Sequence, residues 1–193
     1  MKTFIRPAFS LFVILTAITG IAYPVAMTGF SKAVFPYEAE GSLIQQDGKT
    51  IGSSLIGQNF SDPAHFWGRP SASAPMPYNA QASGGSNLGP LNPAIAETAT
   101  QRLAQLRAAD PDNLQPVPIE LLSVSGSGLD PHISPLAAQY QAPRVARLNH
   151  LGKGEVSQLI EQLTESRWMG ILGEPRVNVV QLNLALAELI HKK

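Results

Sequence analysis

The stretch that decides how this chain is organised is Ala8–Phe30, AFSLFVILTAITGIAYPVAMTGF. Sixteen of its 23 residues are apolar or aromatic, and none is charged. Lys2 and Arg6 precede it and Lys32 is the next charge, so 25 consecutive positions carry none. A helix over 8–30 would run about 34 Å at roughly 1.5 Å per residue, enough to cross a hydrocarbon core of about 30 Å. Its hydroxyls (Ser10, Thr16, Thr19, Thr28) can bond back to their own helix, and Pro24 is expected to kink or thin it without preventing insertion. A cleaved signal peptide shares the basic start, but its apolar centre spans only about 7 to 15 residues. Here the apolar run continues through Val25, Met27 and Phe30. The expectation is an uncleaved, single-pass anchor that meets membrane lipid over 8–30.

Charge works outward from that span. Lys2 and Arg6 on its short side keep residues 1–7 in the cytoplasm by the positive-inside rule, which puts 31–193 on the exported side. The whole chain balances 14 basic against 14 acidic residues; without Lys2 and Arg6 the exported part holds 12 against 14, a net of −2. No basic excess is available for nucleic acid. Charged residues make up 15% of the chain, against about 25% in ordinary soluble domains. The absence of cysteine excludes a disulfide framework, a thiolate zinc site, an iron–sulfur cluster and a cysteine nucleophile.

The 163 exported residues suffice for one core, and their pattern is that of an α+β domain. Ser42–Gln45 and Thr50–Gly57 read as strands joined at Asp47-Gly48, a hairpin signal. Gly, Pro and Ser supply 15 of the 36 positions from 61 to 96, yet Phe66, Trp67 and Tyr78 lie among them. Flexible linkers seldom carry three large aromatics, so 61–93 is expected to be an ordered, irregular loop docked by them. Asn92-Pro93 opens a helix with Ile95, Ala99, Leu103 and Leu106 on one face, closed by Asp110-Pro111. Pro118–Val124 reads as a strand. Ser134-Pro135 opens another helix, with Pro143 breaking or restarting it. Val156, Leu159, Ile160 and Leu163 match the helical template. Leu182, Leu184 and Leu186 alternate like a strand, but Val179, Leu182, Leu186 and Leu189 also fit a helix face, and a length beyond about ten residues favours a last helix.

Few residues carry recognisable chemistry. Gly48-Lys49-Thr50 ends like a Walker loop, but Leu43 stands where its first glycine belongs. No G-x-S-x-G elbow occurs. Ser125, Ser127, Asp130 and His132 lie close in sequence and would serve an exported, membrane-tethered serine hydrolase. The plainer reading is a tight turn in which Asp130-Pro131 makes an Asx-type bond before the Ser134 cap. His65, His132, His150 and His191 lack the spacing of a metal site. Gln81, Ser83, Gly84, Gly85, Ser86 and Asn87 form a small-residue loop whose glycines permit close backbone approach and whose amides offer donors and acceptors. It reads either as a flexible surface loop or as a contact surface for an anion, a nucleotide or another chain, including that of a small-ligand binding module.

From this loop outward six blocks run in order along the chain: GSSLIGQNF (52–60), FWGRPSA (66–72), QASGGSNL (81–88), SGSGLDPHISP (125–135), GEPRVN (173–178) and LNLAL (182–186). Taken together they make the chain resemble the C subunits of the bacterial Kdp potassium-transporting ATPases. The resemblance implies an inner-membrane subunit of a high-affinity, ATP-driven potassium importer. A channel-like A subunit selects the ion, a P-type B subunit hydrolyses ATP and a very small F subunit stabilises the assembly. The C subunit is implied to be no enzyme on its own and to hold no cofactor of its own. In agreement, Gly48 rather than Asp precedes Lys49-Thr50, so the Asp-Lys-Thr-Gly phosphorylation motif is absent. The resemblance further implies a catalytic chaperone that raises the ATP affinity of the B subunit, with nucleotide contact at Gln81, Ser83, Gly84, Gly85 and Ser86. An exported domain conflicts with direct contact to cytoplasmic ATP. The charge asymmetry favours a domain packed over the outer mouth of the A subunit.

Overall fold

A computed structural model describes residues 2–46 and 48–192. The chain divides into two compact units, Met1–Ser53 and Ser54–Lys193.

The first unit is a long apolar helix followed by a hairpin. Helix α1 (Lys2–Ala17) runs into a π-helical turn at Ile18–Ala22 and then α2 (Tyr23–Val34). Phe4–Val34 spans 31 residues with no buried position, and its most apolar 18-residue window has a mean hydropathy of 1.9, so it is long and apolar enough to cross a bilayer. The wide turn has a physical cause. Pro24 lacks the N–H that would donate to the Gly20 carbonyl, and its ring crowds that same carbonyl. The backbone answers by loosening at 18–22, where an N–H reaches one residue further back. Thr19 Oγ1 donates to Leu15 O at 2.7 Å and satisfies one carbonyl on the way. After a single turn, α3 (Pro36–Ala39), β1 (Leu43–Gln46) and β2 (Lys49–Ser53) pair antiparallel. The hairpin expected from Asp47-Gly48 is present; Gly48 has a positive φ of 74°, and Asp47 lies outside the described residues. The second strand stops at Ser53 rather than Gly57.

In the second unit the helices dominate and the strands are short. Strands β3 (His132–Ile133), β4 (Thr164–Glu165) and β5 (Arg176–Asn178) form an antiparallel sheet in the order β3-β5-β4. Helices α4 (Pro93–Ala109), α5 (Pro135–Leu148), α6 (Lys153–Gln162) and α7 (Val179–His191) accompany it. Asn92, Ser134 and Asn178 each accept a backbone N–H of the following helix, at Ala94, Ala137 and Val180, as N-caps do. The core gathers Ile133, Ala138, Val145, Val156, Ile160, Val177, Leu182 and Leu186.

Three expectations are corrected here. Pro118–Val124 forms no strand: Ile119–Leu121 is a 3-10 turn, with the N–H groups of Leu121, Leu122 and Ser123 given locally to the carbonyls of Pro118 and Ile119 instead of to a ladder. Pro143 does not break α5, since the residues on both sides of it, Ala142 and Arg144 to Ala146, are buried and hold the helix in line. Of the face expected on α4 only Leu106 is buried, and Ile95 is exposed.

Candidate functional site

The irregular segment after residue 57 is part of the core. Phe66 is fully buried and Trp67 is 6% exposed. A buried loop has no ladder to satisfy its backbone, so side chains must do it. Asn183 from α7 accepts from Phe66 N at 2.8 Å and donates to Phe66 O at 3.0 Å. Gln141 from α5 does the same for Trp67, at 2.8 and 3.0 Å. Arg144, also buried, donates to Gln141 Oε1 at 2.8 Å and to the Pro63 carbonyl. Its guanidinium and that of Arg102 each lie 4.9 Å from the centre of the Trp67 ring, a cation–π distance. Burial lowers the Arg144 pKa to about 10.

Next along the chain is Arg69, whose Nη2 donates to Val124 O (3.0 Å) and whose Nη1 lies 3.4 Å from Asp130. Asp130 accepts from His132 N at 3.0 Å, and the His132 ring nitrogen Nδ1 lies 3.3 Å from the same oxygen. That ring contact, partly opposed by burial, holds the Asp130 carboxyl below the usual carboxylate range. This is the Asx-type turn expected at Asp130-Pro131. The neighbouring serines point elsewhere: Ser127 Oγ accepts from Leu129 N, and Ser125 is buried. Among the described residues no serine hydroxyl is hydrogen-bonded to His132, so the pairing a serine nucleophile needs is missing. Nor do three His, Asp or Glu side chains among the described residues gather in a metal-holding group.

The glycine loop lies against this turn. Gly84 N donates to Ser127 O (2.8 Å) and Ser83 Oγ donates to the same carbonyl (3.1 Å). A Cβ on Gly85 would come within 2.9 Å of Gly126 O, and one on Gly128, at φ 68°, within 2.7 Å of Gly84 O. The close approach these glycines permit is therefore used within the chain. Gln81, Ser86 and Asn87 remain exposed, while Gly84 and Gly85 are half-buried. Beside this assembly, Arg69, Tyr78 and Arg102 line a cleft of about 210 Å³. Tyr78 donates to Arg69 O at 2.6 Å, and burial pushes its hydroxyl up to about 12.

With this geometry in view, likeness to known proteins decides the assignment. The family described as "KdpC: K+-transporting ATPase, c chain" matches residues 5–188. The chain belongs to the KdpC family. The potassium-transporting ATPase KdpC subunits of Dechloromonas aromatica and Polaromonas naphthalenivorans are each 62% identical to it over 186 residues. That overlap covers 96% of this chain, with 97% and 95% of theirs. The KdpC subunit of Burkholderia cenocepacia strain J2315 is 59% identical, covering 96% of both chains. A KdpC chain is a subunit of the potassium-transporting ATPase, and its long N-terminal apolar helix fits a membrane anchor. Sequence reasoning missed the arginine cluster around Trp67. Its signal was there in Gln141 and Arg144, set on an otherwise apolar face of a KdpC helix, and in Asn183 between two leucines.

Proposed function

We propose that the chain is a non-catalytic accessory subunit of a high-affinity, ATP-driven potassium importer in the bacterial inner membrane. Residues 1–7 stay in the cytoplasm, 8–30 cross the membrane, and 31–193 form an exported domain. This domain packs over the outer mouth of the channel-like A subunit, in an assembly that includes the ATP-hydrolysing B subunit and the small F subunit. The observation that carries the docking reading is the tip formed by Trp168–Leu172. Trp168 N donates to Leu172 O at 2.8 Å and Leu172 N to Trp168 O at 3.0 Å, closing a tight turn. Trp168, Met169, Ile171 and Leu172 all stand exposed on it, Ile171 by 74%. Apolar side chains held out on a built turn are the mark of a docking surface.

The same domain raises the ATP affinity of the B subunit through the assembly, without nucleotide touching Gln81, Ser83, Gly84, Gly85, Ser86 or Asn87. A phosphate nest needs free backbone donors, and the Gly84 N–H is already given to Ser127 O. A reporter enzyme fused after Lys193 tests the topology. Activity only on the exported side is expected, and cytoplasmic activity would overturn the arrangement. A photoreactive ATP analogue should then label the B subunit and leave the 81–87 loop unlabelled.

A further inference from the structure

The cleft between α4 and the Gly68–Ser71 segment has an unbalanced charge. Arg69 and Arg102 line it, and among the described residues no carboxylate does. Arg102 donates from Nε to Leu121 O (3.4 Å), from Nη1 to Gln105 Oε1 (3.3 Å) and from Nη2 to Gly68 O (3.2 Å). A guanidinium has five N–H groups, so these three bonds, all to neutral carbonyl oxygens, leave two. Among the described residues no ion pair includes Arg102 or Arg144. Among the described residues Arg69 has one carboxylate, Asp130, which it shares with His132, and its buried Nε has no hydrogen-bond partner. Burial lowers the Arg102 pKa, and only Tyr78 acts against it.

Charges drawn out of water are ordinarily paired, and an orphaned buried donor calls for an acceptor. We propose that this cleft receives the carboxylate of an Asp or Glu side chain from a partner subunit, held on Arg102 with Arg69 beside it. The size fits that occupant. Sites for drug-sized ligands enclose roughly 300–1,000 Å³, and about 210 Å³ suits one side-chain head. Gln101 and Gln105 stand on the α4 side of the cleft with amides able to bond the second carboxylate oxygen. The proposal rests on the accessory-subunit reading for the partner but names a different contact from the apolar tip.

The test uses the full chain, tagged and co-expressed with the other subunits. Partner retention is measured on the tag at about 0.05 and about 0.5 M sodium chloride. Two variants are compared with the parent. Arg102→Gln removes the charge; Gln101→Glu keeps every Arg102 contact and offers an internal carboxylate that competes for the site. A charge-assisted bond of this kind corresponds to roughly tenfold or more in affinity. Both variants should therefore lower retention at low salt about tenfold and flatten its salt dependence, with the thermal midpoint of Gln101→Glu unchanged or raised. Retention and salt slope equal to the parent in both variants would overturn the proposal. So would loss in Arg102→Gln alone with a lowered midpoint, which marks a structural arginine. Sodium formate at about 0.1 M serves as the free-anion probe. If it raises the midpoint of the chain without weakening assembly relative to chloride, the site takes a small free anion and the proposal falls. If the parent chain retains no partner at all, the accessory-subunit reading fails first and takes this contact with it.

Discussion

Replacing Asn183 by Leu tests whether a buried loop is held by amides. Asn183 is 4% exposed and makes both backbone hydrogen bonds of Phe66. Leucine leaves that N–H and C=O buried without partners, at about 1–3 kcal/mol each, or about 4 kcal/mol together. The added apolar burial returns about 1 kcal/mol, for a net loss of about 3 kcal/mol. For a folded unit of this size that lowers the melting temperature by about 10 °C. The chain has two tryptophans; Trp168 is 67% exposed, so Trp168→Phe leaves Trp67, beside Phe66, as the sole reporter. Unfolding of the detergent-solubilised chain is followed by its fluorescence, with the exposed Gln181→Leu of the same helix as control, expected within about 0.5 kcal/mol of the parent. A drop of less than about 3 °C in Asn183→Leu would refute the reasoning, since the loop would then satisfy its backbone without that side chain.

Other consequences are smaller. Ser134 accepts from Ala137 N and donates to Glu120, so Ser134→Ala should cost about 1 kcal/mol in urea unfolding. Gly128→Ala forces a side chain into a positive φ and toward Gly84 O, a loss of about 2 kcal/mol; Gly89→Ala, which meets nothing within 4 Å, should be near neutral in the same assay. Asp130 has a lowered folded-state pKa, so its contribution is present above the unfolded value of about 3.9 and is lost as the pH falls through the folded one. The urea midpoint of the parent should therefore fall below about pH 4 more steeply than that of Asp130→Asn, and parallel curves would count against the His132 contact.

Much of the scaffold was legible in the sequence because it follows local rules. The span over 8–30 needs only composition, and the Asn92-Pro93 and Ser134-Pro135 starts need only cap chemistry; all three are where the pattern puts them. Strands β3, β4 and β5 were not legible, since two or three residues are too few to show a period of two. The role of 61–93 was half legible. Its aromatics marked it as ordered, but the depth of Phe66 depends on Asn183, 117 positions away, and no local rule connects them. The glycines of the 81–88 loop did signal close approach, yet only the fold shows that residues 126–128 of the same chain are the partner.

These non-local amide contacts bear on how the domain recognises others. Holding a loop with Gln141 and Asn183 places neutral groups where a sheet would have stood, and it fixes Trp67 as a platform for two guanidinium groups. Residues 31–193 are net acidic by two charges, while three arginines gather around Trp67 and the neighbouring cleft with Asp130, among the described residues, as their one ion-pair partner. At a Debye length of about 8 Å an approaching carboxylate feels little attraction until it is almost seated. On the proposed carboxylate contact, long-range steering would contribute little and the cluster would act at short range, where the site is partly dry and screening is weak. Salt added to the assembled complex should accordingly shorten its lifetime far more than it slows its formation, and the opposite pattern would place the recognising charges on the rim instead of in the cleft.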